Sequence, residues 1–489
     1  MSSKKIFWII GVVAGLILLM FLTNFFVKQK IEQALDERFQ SSAYEDLSVN
    51  IFLNKFSIED VKIDLERLSI NAEKISASGI SYSKYLFSNK IDLDELEFTS
   101  PEVDFFPADS AKEKSSGKDR EVLIRSISVQ DGRLSKKASD TASASFFAHI
   151  PRAVVKNVSP GMELSGLKDY SIDLDTVYLK MNSEHYIDVG KFSAKNGQVD
   201  ISSFRIRSFY PRSQFDRVIP FEKDQITLDV KGISLDSLLL KRRKDSLYLT
   251  NPKMTVTNAN LTIYRNKLLK DDATTKPLYS KMLRELPFYL NFDLVQVENS
   301  EIIYEEQVKE EGGPGIVRFA GINGEIKNLH NIKELEDQPK ITANADFMRG
   351  TPVSIDWTFP VFDPQDRFHI SGRFGHLEGE ALDPFLVPSL DVQARGTLNE
   401  VYFNFYGNDE VLRGDFRMDY EDFKIELLNK KYNKKGFFSA IANLFVDNEQ
   451  EPDEGGGQDV RVERTKNRSF WNYVWKGLRE GLIDAVGQL

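Results

Sequence analysis

Five histidines, His149, His185, His330, His369 and His376, are the side chains best suited to ligate a metal or move a proton near neutral pH, and they are scattered. Only His369 and His376 lie close together, seven residues apart, with Gly372 and Gly375 between them and Asp363 and Asp366 just upstream. On adjacent strands these four would supply the donors of a metal site or the acid and base of a tethered hydrolase. Solvated histidines on a loop or strand face are the plainer expectation. Carboxylates also recur in pairs: Asp92/Asp94, Glu95/Glu97 and Asp173/Asp175. Residues two apart on a strand share a face, so each pair has the spacing to hold calcium or to divide acid and base roles. The wet side of an amphipathic strand accounts for them more simply. No HExxH, GxSxG or P-loop pattern occurs. The absence of cysteine excludes disulfides, thiol nucleophiles and cysteine metal sites. The chain therefore reads as non-enzymatic and without a cofactor.

Two basic runs are more suggestive. Lys241, Arg242, Arg243 and Lys244 follow Leu238–Leu240, and Lys430, Lys431, Lys434 and Lys435 precede Phe437 and Phe438. Cations beside apolar surface suit anionic lipid headgroups, although a solvated turn also explains them. A net charge of −10 argues against a nucleic-acid partner.

What must position such residues begins with a long uncharged run. Ile6 to Val27 carries no charge and is flanked by Lys4 and Lys5 before it and by Lys28 and Lys30 after it. At about 1.5 Å of helical rise per residue the run reaches roughly 33 Å, enough for a bilayer core. It lacks the short apolar region and small-x-small site of a cleaved signal, so a retained membrane anchor is expected. The short leading tail favours a cytoplasmic N-terminus with the bulk translocated. Lys28 to Gln40 continues as a stalk, with Ile31, Leu35 and Phe39 on one helical face.

From about Leu47 the period changes to two. Val49, Ile51 and Leu53 alternate with polar residues; Ile91/Leu93 with Leu96/Phe98, Ile226/Leu228/Val230 and Val401/Phe403/Phe405 repeat the pattern. LEFTSPEVDFF, ISVQDGRLS, FSAKNGQVDI, LYLTNPKMTV and VQVENSEIIY each place a turn-forming pair between two apolar runs. They predict a degenerate hairpin repeat, a meander extended strand by strand. Lys276 to Leu286 and Gly436 to Val446 predict short helices, and 108–120 and 447–458 predict polar loops. The last segment, Ser469 to Leu489, is an amphipathic helix in which Phe470, Val474, Leu478, Leu482 and Val486 recur every four residues beside Trp471 and Trp475. Phe470, Trp471, Trp475, Leu478 and Leu482 are candidate membrane-interface residues. The alternative is a helix docked on the sheet to cover its edge. The boundaries follow: anchor and stalk 1–40, β-rich body 41–393, late strand region with apolar helix 394–446, polar linker 447–468, terminal helix 469–489.

The chain resembles the AsmA-like superfamily of bacterial envelope proteins, relatives of TamB and of bridge-like lipid-transfer proteins, and in particular its Bacteroidota-type members. The likeness rests on the anchor, the opening segment LSVNIFLNKFSIEDVKIDL (Leu47–Leu65), the hairpin grammar, and ARGTLNEVYFNFYGNDEVLRGDFRMDYEDFKIELL (Ala394–Leu428) followed by RSFWNYVWKGLREGL (Arg468–Leu482). The match covers most of the chain as architecture, and it transfers no functional residue by position. It implies a mainly β fold: an N-terminal transmembrane helix, then an elongated, twisted antiparallel sheet forming a groove, and a C-terminal amphipathic helix. It further implies an inner-membrane, single-pass protein with its bulk in the periplasm. Such a protein would bind phospholipid or another acyl lipid and support lipid transfer or outer-membrane biogenesis. Phe403, Phe405, Phe416 and Met418 are the candidate lipid-facing residues, though they could equally fill a closed core. The alternative is an envelope scaffold whose sheet edges pair with outer-membrane assembly components or clients. Strands every 12–15 residues would number roughly 30 and extend roughly 140 Å at about 4.8 Å apiece, which is short of a full envelope crossing.

Overall fold

The computed structural model describes residues 24–29, 32, 42–65, 68–88, 90–106, 122–137, 144–159, 166–243, 246–428 and 459–487. Most of the anchor and stalk, both predicted polar loops and the predicted helix Gly436–Val446 lie outside them. No helix among the described residues is long and apolar enough to cross a membrane. The chain is mainly β and divides into two compact units, 1–180 with 187–197, and 181–186 with 198–489. The division falls inside the predicted 41–393 body, where no change of composition announces it.

In the first unit β1 (Ser42–Ala43) and β2 (Asp46–Asn50) pair antiparallel with β3 (Lys55–Leu65), which pairs with β4 (Leu68–Ser78). β4 takes both β5 (Ile91–Thr99) and β6 (Glu102–Phe105), with helix α1 (Tyr82–Ser88) between β4 and β5. β5 and β6 run parallel to β7 (Val122–Lys137). β7 pairs antiparallel with β8 (Ala144–Val158), and β8 with β9 (Tyr170–Leu174) and β10 (Thr176–Lys180); β9 also takes β11 (His185–Lys195).

In the second unit β12 (Gln198–Ser208) is followed by helix α2 (Arg212–Val218) and pairs with β13 (Gln225–Asp236). β13 and β14 (Leu239–Arg243) both pair with β15 (Ser246–Asn266). A crossover carrying α3 (Tyr279–Arg284) makes β16 (Tyr289–Gln307) parallel to β15. An antiparallel series follows: β17 (Gly315–His330), β18 (Lys340–Phe347), β19 (Thr351–Thr358) and β20 (Phe368–Phe374). After β21 (Leu377–Glu378) and α4 (Asp383–Leu390), β22 (Val392–Gly407) pairs with both β20 and β21. It leads to β23 (Val411–Leu427), β24 (Asp459–Glu463) and the terminal helix α5 (Phe470–Gly487).

Two expectations are corrected. The sheet is mixed, because β5, β6 and β7, and again β15 and β16, are parallel. The hairpin grammar is also misread in four of its five instances. Asn196-Gly197 makes a tight turn with both φ positive, 51° and 92°. Asp131-Gly132, Asn251-Pro252 and Asn299-Ser300 instead lie within β7, β15 and β16, and Ser100-Pro101 separates β5 from β6, which stay on the same two neighbours. Single residues in the left-handed region (Ser100 φ 48°, Asp131 φ 53°, Asn299 φ 45°) kink these strands without reversing them. Among the described residues strands are therefore longer and fewer than the predicted 30. The eight strand positions described in the first unit and eleven in the second correspond to widths of about 34 Å and about 48 Å along the hydrogen-bond direction. Likewise the alternation Val49, Ile51, Leu53 does not continue as strand. Residues 51–54 form a turn in which Leu53 N–H donates to Asn50 Oδ1 at 3.1 Å.

The kinks align sideways. Strand register sets Asp60 (φ 52°) opposite Glu73, and Ser100 opposite Asp131. In the second unit Ser203 (φ 65°), Asn258 (φ 51°) and Asn299 form the corresponding row. A left-handed residue shifts the side-chain alternation by one, so Ile58 and Val61 on β3 are both buried although three residues apart. Because neighbouring strands shift together, their apolar residues stay in step on one face.

Candidate functional site

Register separates the first unit's sheet into two chemically opposite faces. One lateral row runs Leu47, Ile58, Ile75, Phe98, Val129, Ala153 and Ile172, apolar at every strand. Beyond the kinks a second row runs Ile63, Ile70, Val103, Leu134, Ala148 and Val177. The opposite face carries Glu59, Lys74, Thr99, Gln130, Arg152 and Asp173. Such an apolar face ordinarily lies beneath a second layer. Here the one helix described in this unit's body, α1, packs on β5. Leu47, Ile58 and Val61 form a small buried cluster, whereas Ile75, Phe98, Val129, Ala153 and Ile172 are only half-buried.

The second unit continues the theme and then departs from it. Its row passes from Val199 through Leu235, Met254, Val295, Ile326 and Ile341 to Trp357, Ile370 and Phe405. Over the last strands the face is roofed by α5, which packs on β23 and β24, and by α4, which bridges β17 and β22. Phe470 stacks on Trp357 at 4.7 Å between ring centroids and meets Phe368 edge-on at 5.0 Å. Gly477 and Gly481, one turn apart, let α5 approach Phe405 and Phe416 closely.

This roof relocates the sequence-predicted residues. Phe403, Phe405 and Phe416 are 2%, 0% and 4% exposed, and Met418 packs against the same cluster. They fill a closed core, because the aromatic face of α5 occupies the space a lipid would need. Phe470 is buried there as well, and Leu478 and Leu482 lie against it. Trp471 and Trp475 point outward, 48% and 38% exposed, and Trp471 Nε1–H donates to Tyr279 Oη at 3.2 Å. Lys241, Arg242 and Arg243 lie on β14, with the Arg243 guanidinium 5.3 Å from the Tyr248 ring centre. Lys244 and the 430–435 run lie outside the described residues.

The histidine–aspartate group does not assemble. His369 bonds Asn404 Oδ1 at 2.6 Å and stacks on Tyr406, while His376 bonds Glu378 at 2.9 Å. Asp363 receives the Arg367 side chain and the Gln365 and Arg367 amides; burial pushes its carboxyl up, but these bonds outweigh burial and hold it below its ordinary value. Asp366 receives Ser280 and Arg284. No cluster of three or more metal-ligating side chains occurs among the described residues.

Sequence reasoning missed the site at the kinks. His149 Nε2 lies 2.7 Å from Asp131 Oδ1 and its Nδ1 lies 2.7 Å from Asp175 Oδ1. Ser100 Oγ–H donates to Glu73 one strand further along, at 3.2 Å. Two carboxylates on two ring nitrogens require both to donate, so the imidazolium form is favoured. The hydrogen bonds to Asp131 and Asp175 raise the His149 pKa, and the bond from His149 lowers that of Asp131. In the second unit amides play the same part: Asn299 Nδ2–H donates to Asn258 Oδ1 at 2.6 Å, and Asn299 N–H to Asn323 Oδ1 at 3.0 Å. The signal was present as Asx residues at the pairs read as turns. No family model matches the chain, and no curated protein is detectably similar to it.

Proposed function

We propose that this is an inner-membrane-anchored, periplasmic, non-enzymatic protein of the AsmA-like kind that holds lipid acyl chains against the apolar face of its sheet and supports phospholipid transfer or outer-membrane biogenesis. The observation that carries this is the row centred on Phe98 and Val129. It is apolar across seven strands and half-buried from Ile75 to Ile172, and among the described residues the helix packed on its strands is α1, on β5, whereas the equivalent rows at the C-terminal end are sealed by α5. Transferring hydrocarbon from water is worth about 0.8 kcal/mol per methylene. A face that receives chains from a bilayer needs only to match that value over most of the chain's length. A continuous apolar surface meets that requirement without a deep pocket. The opposing polar face, with Glu59, Lys74, Gln130 and Arg152, keeps the other side in water.

The test is mass spectrometry of lipids that co-purify with the full-length protein, alongside Phe98→Glu and Gln130→Glu. Phe98 is half-buried, so a carboxylate there stays hydrated while interrupting the apolar row. Phospholipid should accompany the parent and Gln130→Glu and fall several-fold in Phe98→Glu. A lipid-free parent protein, or equal lipid in all three, would reject the proposal.

A further inference from the structure

Among the exposed large apolar side chains of the described residues, a close group lies at the start of the first unit. The turn over residues 51–54 holds Phe52 at 53% and Leu53 at 63% exposure. It is a formed turn: Asn54 N–H donates to Ile51 O at 3.3 Å, Leu53 N–H to Asn50 Oδ1, and Asn54 sits at φ 50°. Two side chains are thus held in water by a backbone that has no need of them there. The helical stretch 24–29 lies against this turn, because Ile51 N–H donates to Asn24 Oδ1 at 2.9 Å. It adds Phe25 and Phe26, 61% and 55% exposed. Lys28 and Lys55 each stand two residues beyond one of the two apolar pairs.

We infer that the 51–54 turn is a membrane-contact site that seats Phe52 and Leu53 in the bilayer interface. The occupant is fixed by the sequence that leads to it. The uncharged run from Ile6 ends at Val27, inside the stretch whose Asn24 is bonded to the turn. A chain leaving hydrocarbon at that point has no length in which to separate the turn from the lipid surface. Aromatic and aliphatic side chains bordered by lysines match the apolar boundary and the anionic headgroups of a cytoplasmic-membrane leaflet. The contact would hold the sheet's first strands, β2 and β3, at the surface where lipid must enter. It rests on the anchor reading given above.

The chain has no cysteine, so Leu53→Cys and Phe105→Cys each create a unique site for an environment-sensitive fluorophore. Phe105 is also exposed, at 43%, and lies at the opposite end of the same strands. The full chain is reconstituted into vesicles of phosphatidylethanolamine and phosphatidylglycerol, floated, and probed with nitroxide-bearing lipids. Blue-shifted emission at position 53, several-fold brighter than at 105 and quenched by interfacial nitroxide, is the expected result. A chain that floats while its position-53 probe stays solvent-like, or is shielded but unquenched by lipid, overturns the contact and leaves the anchor standing. A chain that does not float removes the anchor and the contact together. Leu53→Asp provides a second measure: the vesicle-borne chain should keep its strand content while its Lys55 region becomes accessible to protease.

Discussion

Replacing Gly481 by alanine separates a docked terminal helix from one lying free in a membrane, because the two arrangements predict opposite signs. In an isolated or solvent-facing helix Gly→Ala is favourable by about 1 kcal/mol. Here a Cβ on Gly481 would sit 2.2 Å from Phe416 Cγ and 2.5 Å from its Cβ. These atoms are at the root of a side chain that is 4% exposed, so no rotamer change relieves them. The helix must retreat by more than 1 Å from its contact, a displacement at the upper end of the about 1–3 kcal/mol expected for overpacking. The net effect is destabilisation of α5 by about 2 kcal/mol, equivalent to roughly a thirtyfold rise in its opening. Hydrogen exchange of the 470–487 amides in the solubilised full-length protein reads this directly. Gly477→Ala should be milder, since its nearest neighbours, at 3.0 Å, are the ends of the Leu412 and Phe405 side chains. Slower exchange in Gly481→Ala would refute the docked arrangement and return Phe405 and Phe416 to the candidates for lipid contact.

Other outcomes follow from the kinks. His149 has a raised pKa, so its stabilisation is complete below the unfolded value of about 6.5 and disappears as pH rises through the folded value. Asp131 is depressed, and its share is present above about 3.9 and lost in acid. Amide protection at β7 and β8 should therefore be greatest between roughly pH 4 and 6.5, and His149→Gln should flatten the alkaline side of that profile. Asn299→Val should cost about 2–3 kcal/mol, from a β-branched residue at φ 45° and the loss of the side-chain bond to Asn258. Asn299→Gly should cost less, since only the bond to Asn258 is lost; urea midpoints compare the two, and equal losses would discount the backbone contribution.

Alternation of residue types made the β character legible, and the spacing of four in the last segment located α5 to within two residues at either end. Lys276–Leu286 likewise contains α3. What could not be read is whether an Asx-Gly or Asx-Pro pair reverses the chain or bends it. Asn196-Gly197 and Asp131-Gly132 both use positive φ and Asn251-Pro252 does not, and the difference lies in whether the following run pairs with its predecessor or with other strands. Asn196-Gly197 and Asp131-Gly132 are nearly the same dipeptide with opposite consequences. The parallel crossovers were hidden for the same reason. Whether Phe403, Phe405, Phe416 and Met418 face lipid or fill a closed core was open in the sequence for a different reason. Period-two alternation identifies an apolar face but not what lies above it, and here that is a helix more than 50 residues downstream.

The aligned bends restrict how this sheet can change. A deletion of one residue on either side of Asp131 or Asn299 would turn every later side chain on that strand to the wrong surface, while its neighbours kept theirs. A newcomer strand at the border would have to carry its own left-handed residue in phase with the existing file, and a partner for the polar side chain beside it. Growth by duplication of whole kinked pairs satisfies both conditions at once. Piecemeal insertion satisfies neither, so length variation should collect in the connections and leave the strands between the bends unaltered.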